Sequence, residues 1–133
     1  MIFVDTNVFM YAVGRDHPLK LEARAFFEQA VGQSVGNSTS TLVTSAEVLQ
    51  ELLHAYLPVN RLQTLDDALE LAVRGMHEIW PVEPDDILEA VRLADSHPTL
   101  GARDLTHLAC CQRRGIRRIQ TFDRALSAAF GKP

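Results

Sequence analysis

The chain has 133 residues and a mass of 14.8 kDa, which fits one domain and leaves little room for a second. It is 47% hydrophobic and 23% charged, a balance that excludes wholesale disorder, and no apolar run reaches the ~18 residues of a membrane span. Its net charge of −4 does not indicate a general polyanion binder.

The cysteines and the N-terminal segment bear on the cellular compartment. Cys110 and Cys111 are neighbours, which make a poor structural disulfide, so a reducing compartment is the simpler interpretation. The first residues lack the basic region of a signal peptide and include an acid, Asp5, where such a peptide would stay apolar. We therefore expect a cytoplasmic protein with a single domain over residues 1–133.

The net charge is unevenly distributed along the chain. Residues 103–133 carry seven basic groups and two acids, a net charge of +5, whereas residues 1–102 carry a net charge of −9. The arginines of the basic segment that are candidates for phosphate contacts are Arg113, Arg114, Arg117, Arg118 and Arg124. A solvated surface position is the simpler explanation for each of them alone.

Apolar spacing, helix caps and Pro or Gly breakers predict an alternation of short strands and helices. In chain order we expect a strand at 2–4, helices at 7–13 and 19–31, a loop at 32–40, a strand at 41–44, helices at 46–57 and 61–74, a brief strand within 78–82, a helix from 84 to about 96, a connector at 97–101, a helix at 102–114, a strand at 116–121 and a helix at 123–130. Ser45 is the expected N-cap of the third helix. This alternation predicts an α/β fold with a mainly parallel sheet of four to five strands, flanked by helices on both faces.

Four acids occupy comparable places in this pattern. Asp5 ends the first strand, Glu51 lies in the second turn of helix 46–57, Asp104 lies in the first turn of helix 102–114, and Asp123 follows strand 116–121. Each acid alone is explained as a helix cap, a dipole partner or an exposed residue. Because the carboxyl edge of a parallel sheet is where such folds bind ligands, the four together predict one shared site.

Glu47 competes with Glu51 for the place on helix 46–57. Glu47 lies nearly opposite the centre of the apolar face of that helix, whereas Glu51 lies closer to the border and can face a cleft. An acid in the first helical turn, as Glu47 is, is also favourable without any function. We prefer Glu51, although the angular difference is modest and a role for Glu47 beside it stays open.

Converging carboxylates predict a divalent cation. Their mutual repulsion raises at least one pKa unless a cation removes it, and Mg²⁺ or Mn²⁺ suits ligands that are all oxygen. Such an ion activates water and stabilises the charge that develops in phosphodiester hydrolysis. The sequence contains no Ser–His–Asp arrangement, P-loop or glycine-rich dinucleotide motif that would compete for the site.

Four segments carry these acids in order, at residues 4–8 (VDTNV), 44–52 (TSAEVLQEL), 103–109 (RDLTHLA) and 121–124 (TFDR). Together they resemble the motifs of PIN-domain nucleases, specifically the VapC-type toxins of bacterial toxin–antitoxin pairs. In the second motif of that family the acid comes six residues after the serine, and this spacing selects Glu51. The similarity covers nearly the whole chain as one PIN-like domain.

The resemblance implies an endoribonuclease that depends on Mg²⁺ or Mn²⁺ and acts on RNA. The catalytic and metal-binding acids that it implies are Asp5, Glu51, Asp104 and Asp123, supported through hydrogen bonds by Asn7 and Thr121. It also implies a homodimer and a cognate antitoxin whose peptide occupies the active-site groove. The chain departs from the family pattern at Ala125, where many relatives have a polar or acidic residue.

Three further residues near these acids are candidates for binding substrate: Arg103, His107 and Arg124. His107 follows Asp104 by three residues on one helix face, so it is placed to touch RNA or to orient Asp104. A surface or partly packed position is the commoner fate of such a histidine, and we expect one here.

Two other functions stay open. The first is a non-catalytic module that binds RNA or a protein, with the acids as a structural cluster. The second is a phosphatase-like hydrolase that uses Asp5 as its nucleophile. The pattern of such phosphatases has a second acid two residues later, and Asn7 stands there instead.

Overall fold

The sheet is the centre of the fold. The computed structural model describes residues 1–34 and 41–131, apart from the side chains of residues 33 and 34. Its strands are β1 (Ile2–Val4), β2 (Leu42–Ser45), β3 (Glu78–Trp80) and β4 (Arg118–Gln120). They form one sheet in the order β3-β2-β1-β4, and every pairing is parallel. The predicted α/β class is therefore confirmed, with four strands in the described ranges.

Helices connect these strands. They are α1 (Thr6–Val13), α2 (Pro18–Ser34), α3 (Ala46–Tyr56), α4 (Leu62–Gly75), α5 (Pro84–Leu93), α6 (Ala102–Arg113) and α7 (Arg124–Phe130). Helices α1 to α4 pack against one another, and α6 packs against both α5 and α7. None of the helices over 1–34 and 41–131 is long and apolar enough to cross a membrane.

Strand β1 is central, with β2 on one side and β4 on the other. Phe3 and Val4 are fully buried, which is why this strand is a continuous apolar run rather than an alternating one. The amide of Asp5 donates to the carbonyl of Gln120 at 3.0 Å, so the ends of β1 and β4 lie side by side. The residues that follow these two strands are thereby brought to the same edge of the sheet.

The core has two parts. The larger part joins the sheet to α1–α4 and includes Phe3, Phe9 and Leu52, while the smaller part lies among α5, α6 and α7. Cys110 and Cys111 are fully buried and unbridged, as expected for small apolar groups. Burial raises the pKa of the Cys110 thiol to about 12, so it is an inert packing residue.

Several predicted boundaries move for local reasons. Helix α1 begins at Thr6, one residue early, because Asp5 caps it, and α5 ends at Leu93 rather than near residue 96. Ser45 is the N-cap residue of α3, as predicted, and also the last residue of β2, but its hydroxyl makes no capping hydrogen bond. Helix α2 runs on to Ser34, so the predicted loop at 32–40 begins later, and its residues 35–40 lie outside the described part of the chain.

Arg113 and Arg114 do not behave as free phosphate ligands. Both guanidinium groups contact Oδ1 of the fully buried Asp86, at 2.7 and 2.8 Å, and Arg114 also lies over the ring of Trp80. The second oxygen of Asp86 accepts from the amide of Glu83 at 2.8 Å, so the same carboxylate caps α5. Although burial opposes ionisation, the hydrogen bonds from Arg114, Glu83 and Arg113 hold the pKa of Asp86 well below its usual range. This Asp86 cluster ties α5 to the end of α6.

Replacing Asp86 is expected to be costly. In Asp86→Ala the two arginines lose their shared partner, and the free energy of unfolding should fall by about 3–5 kcal/mol in urea titrations at neutral pH. The folded pKa of Asp86 lies below its ordinary value of 3.8, so its stabilisation is complete above that pH and is lost as the pH falls further. Asp85→Ala is the matched control, since Asp85 is exposed and reaches Arg113 only at 3.7 Å. Equal stabilities of the two variants would contradict the stabilising role of the Asp86 cluster.

Candidate active site

Asp5 is fixed at the edge of the sheet by hydrogen bonds to both of its oxygens. It is 5% exposed and caps α1, with Oδ1 accepting from the amide of Thr6 at 2.7 Å. Oδ2 accepts from the hydroxyl of Thr121, directly after β4, at 2.6 Å. Burial raises the pKa of Asp5, while the nearby His107 and these hydrogen bonds oppose the rise.

Thr121 and Asn7 connect Asp5 to the fourth acid. The Thr121 hydroxyl accepts from the side-chain amide of Asn7 at 3.3 Å and from the backbone amide of Asp123 at 3.0 Å. The side-chain carbonyl of Asn7 accepts from the backbone amide of Phe122 at 3.1 Å. These contacts hold the loop after β4 against the start of α1. Asn7 and Thr121 were predicted to support the acids through hydrogen bonds, and they form such bonds around Asp5.

Asp123 is half-buried and caps α7. Its Oδ1 accepts from the amide of Leu126 at 3.0 Å. Its other oxygen takes no hydrogen bond from the residues that the structure describes, so it remains available to a ligand. Capping and ligand binding are thus compatible in this residue, which was also expected to be a helix cap.

Asp104 lies half-buried in the first turn of α6 and experiences the charge of all three other acids. Burial, then the charges of Asp5 and Asp123, and to a lesser extent that of Glu51, raise the pKa of Asp104 to about 6, against the opposing effect of His107. Four acids separated by up to 118 positions in the sequence therefore share one electrostatic environment. This interaction agrees with the predicted proximity of the acids, and their function as one shared site stays a prediction.

Glu51 and Asp5 both contact the side chain of His107. Nε2 of His107 lies 2.5 Å from Oε1 of Glu51 and 3.7 Å from Oδ1 of Asp5. This contact is an ion pair when the imidazole of His107 is protonated. Although burial alone would lower the pKa of His107, the carboxylates of Glu51, Asp5 and Asp104 raise it.

The expectation that His107 is on the surface or partly packed is wrong. The side chain is fully buried, with its ring against Phe3 at a centroid distance of 5.5 Å, and it leaves no surface for RNA. The three-residue spacing from Asp104 was the available signal, since it places His107 on the inner face of α6. Glu47 is half-buried on α3, and within residues 1–34 and 41–131 only Glu51 of these two acids contacts His107.

The predicted substrate ligands Arg103 and Arg124 differ from Arg113 and Arg114. Both are exposed, and neither forms an ion pair with an acid in the described ranges. Each is the sequence neighbour of a site acid, Asp104 or Asp123. Two cationic groups therefore stand beside the acids without an internal partner, and their contact with RNA stays a prediction.

The donor set suits a hard divalent cation. All four acids offer oxygen, and Oε1 of Glu51 is buried without an aligned hydrogen bond. Over residues 1–34 and 41–131, no three His, Cys, Asp or Glu side chains are close enough together to hold an ion by themselves. Mg²⁺ is usually held by one or two carboxylates plus waters and phosphate oxygens, so it is the type of donor, and not a preformed set of ligands, that fits the ion.

Comparison with known proteins identifies the family. The PIN-domain family model matches residues 2–131. The chain is 62% identical over 130 residues to Ribonuclease VapC23 of Mycobacterium tuberculosis (strain ATCC 25618 / H37Rv), covering 98% of each chain. It is 36% identical over 131 residues to Ribonuclease VapC13 of the same organism, covering 98% of this chain and 96% of that one.

A solved structure has the same fold. The crystal structure of Mycobacterium tuberculosis VapC20, a Sarcin-Ricin loop cleaving toxin, aligns with a TM-score of 0.72 and 19% identity, covering 97% of this chain and 95% of that chain. The parallel sheet with acids at its carboxyl edge is the architecture of a PIN domain. The chain belongs to the PIN-domain family, and within it to the VapC proteins.

The repulsion at Asp104 predicts that removing its charge stabilises the metal-free protein. The folded pKa of about 6 lies above the ordinary value of 3.8, so ionising Asp104 costs folding free energy. Asp104→Asn should therefore raise the free energy of unfolding by about 1 kcal/mol near pH 7.5, a figure reduced for partial exposure. The gain should shrink as the pH falls below about 6 and should vanish below about pH 3, where the acid is largely neutral in both states. Urea titrations in EDTA measure both values.

The control for this prediction is Asp95→Asn, at an exposed position after α5. It should leave stability unchanged at both pH values. A loss of stability in Asp104→Asn near neutral pH would contradict the crowding of charge at this residue.

Proposed function

We propose that this protein is a toxin endoribonuclease that hydrolyses RNA phosphodiester bonds at the cluster of Asp5, Glu51, Asp104 and Asp123. The observation that carries the proposal is the placement of Asp5, Asp123 and Asp104 at the ends of β1 and β4 and the start of α6, where burial, and then the charges of Asp5 and Asp123, raise the pKa of Asp104 to about 6. The protein is a VapC-type ribonuclease, and relatives that are 62% identical over nearly the whole chain carry that name.

A divalent metal ion is the general cofactor of PIN-domain VapC nucleases, and we assign Mg²⁺ or Mn²⁺ to this site. When bound, the ion supplies a Lewis acid that polarises the phosphate and activates water. Asp5, Asp104, Asp123 and Glu51 are the residues that would hold it. No further ligand is required, since waters and the phosphate of the RNA complete the shell of such an ion.

The surrounding residues position these acids and the substrate. Thr121 and the amide of Thr6 fix the two oxygens of Asp5, and Asn7 fixes Thr121 in turn. In hydrolysis, the oxygen of water bonds to phosphorus while the P–O bond to the leaving nucleoside breaks, and the protons of water pass to the leaving oxygen and the solvent. The exposed Arg103 and Arg124 are placed to neutralise RNA phosphates as the strand enters.

The partners follow from the family. VapC toxins act on RNA and pair with VapB antitoxins, so we propose a cognate antitoxin for this chain. We also propose a homodimer in the cytoplasm. An exposed apolar stripe on α5, formed by Ile87, Leu88 and Val91, supports a surface that another chain covers.

The phosphatase-like alternative is weakened by the environment of Asp5. The second acid that such phosphatases have two residues later is replaced by Asn7, whose side-chain amide donates to Thr121. The non-catalytic alternative is separated by the two measurements that follow.

The activity is tested on total RNA. Wild type should cleave RNA with Mg²⁺ or Mn²⁺ and should stop in EDTA, while Asp5→Asn should lose at least about 100-fold in rate. The substitution keeps the size of the side chain, and circular dichroism verifies that the fold is retained. Asp95→Asn, which removes an exposed acid, should cleave like wild type. Full activity in Asp5→Asn would refute the assignment.

Metal binding is tested without RNA. Millimolar Mn²⁺ should raise the melting temperature of wild type, because an ion that binds only the folded state stabilises it by mass action. Asp104→Asn should show a smaller shift, since one oxygen ligand is lost. No shift in wild type, together with no cleavage, would favour the non-catalytic binding module.

A further inference from the structure

A groove lies along α1, with lining residues from Asn7 to Gly14. It has a volume of about 440 Å³, within the range of sites that take a small-molecule-sized group. The lining residues used below are Asn7, Tyr11, Arg15, His17, Tyr56 and Arg61. The groove starts at Asn7, whose amide bonds to Thr121, which bonds to Asp5. Asn7 therefore belongs both to the lining of the groove and to the hydrogen-bonded support of Asp5.

Arg61 is a fixed cation on the wall of this groove. Its guanidinium lies 5.8 Å from the centre of the Tyr56 ring and donates to the Thr64 hydroxyl at 3.4 Å. It forms no ion pair with an acid of the described ranges, whereas Arg74, on the same helix α4, pairs with Glu70 at 3.0 Å. In a protein of net charge −4, an arginine that is oriented but unpaired is suited to an external anion.

Arg15 adds a second such cation. It is exposed in the turn between α1 and α2, and it has no acidic partner in the part of the chain that the structure describes. Asp16 is the one acid among the lining residues, so the groove has two arginines against one carboxylate. This balance of charge favours an anionic ligand such as a phosphate over a cationic one.

Aromatic rings form the part of the groove between Asn7 and the loop after α1. The rings of Tyr11 and His17 lie with their centroids 4.7 Å apart. The ring of Phe122 packs perpendicular to that of Tyr11 at a centroid distance of 5.3 Å. His17 is exposed, so a flat ligand can reach this pair from solvent. Nucleobases stack on such rings without regard to sequence, and single-stranded RNA presents its bases for this contact.

We propose that this groove binds a nucleotide of the RNA next to the cleaved bond, with its phosphate at Arg61 and Arg15 and its base against Tyr11 and His17. The length of α1 from Asn7 to Gly14 is ~10 Å, which leaves room for one nucleotide beyond the acids. This inference rests on the proposed ribonuclease function. It assigns to the groove a part of the substrate that the acids do not hold.

Binding without cleavage tests the groove separately from the activity. A short fluorescein-labelled single-stranded RNA in EDTA serves as the probe, read by fluorescence anisotropy at several salt concentrations. Arg61→Gln should bind about tenfold more weakly, and the slope of log affinity against log salt should fall by about 0.7, the value for one phosphate contact on a single strand. Arg61→Lys should keep the slope, because it keeps the charge.

The matched control is Arg74→Gln, which removes an arginine of the same helix that already has Glu70 as its partner. It should leave both the affinity and the slope unchanged. Arg15→Gln, at an exposed position, should lower the slope like Arg61→Gln and gives the same test if the contact of Arg61 with Tyr56 is needed for folding. Tyr11→Phe should bind like wild type and Tyr11→Ala more weakly, because the ring and not the hydroxyl makes the contact.

Cleavage kinetics give the second readout. With metal present, Arg61→Gln should raise KM about tenfold and leave kcat within about twofold. Unchanged affinity and salt slope in both arginine variants would overturn the proposal, and so would a selective loss of antitoxin binding with RNA binding intact. A wild type that binds RNA through these residues but cleaves none with either metal would instead support the groove and refute the ribonuclease function.

Discussion

Repulsion between carboxylates at the carboxyl edge of the sheet is the constraint on which the site depends. Strand β1 delivers Asp5 to this edge, the loop after β4 delivers Asp123, and α3 and α6 deliver Glu51 and Asp104. Burial, and then the charges of Asp5 and Asp123, raise the pKa of Asp104 to about 6. A fold that concentrates charge in this way accepts a loss of stability that a cation or a substrate can relieve.

The same edge contains the features that make this concentration tolerable. Asp5 caps α1, Asp123 caps α7, and Asp104 lies in the first turn of α6, so each faces the positive end of a helix dipole. His107, fully buried between Glu51 and Asp5, adds a group whose charged form the acids favour. The structural explanations of the individual acids as caps are therefore correct, and they are part of the functional arrangement rather than alternatives to it.

The arginines show how tertiary contacts divide one residue type into two roles. Arg113 and Arg114 are held by Asp86 and tie α5 to α6. Arg61, Arg103 and Arg124 have no acidic partner in the described residues. The basic character of the C-terminal quarter therefore overstates how much positive charge is free. One of the cations best placed for a phosphate, Arg61, lies in the acidic part of the chain, where the distribution of charge along the sequence gave no sign of it.

The sequence by itself determined the α/β class and most of the elements, and it predicted the four site acids, because each depends on local features: apolar runs, helix breakers and short motifs. The six-residue spacing from Ser45 was enough to prefer Glu51 over Glu47. The sequence could not show that His107 is buried, that the hydroxyl of Ser45 makes no capping hydrogen bond, or which arginines are neutralised. Those outcomes depend on pairs far apart in the chain, such as His107 with Glu51 and Arg114 with Asp86. Only the packing of α3, α5 and α6 brings such pairs together, because burial and charge pairing are properties of the space between elements and not of any one element.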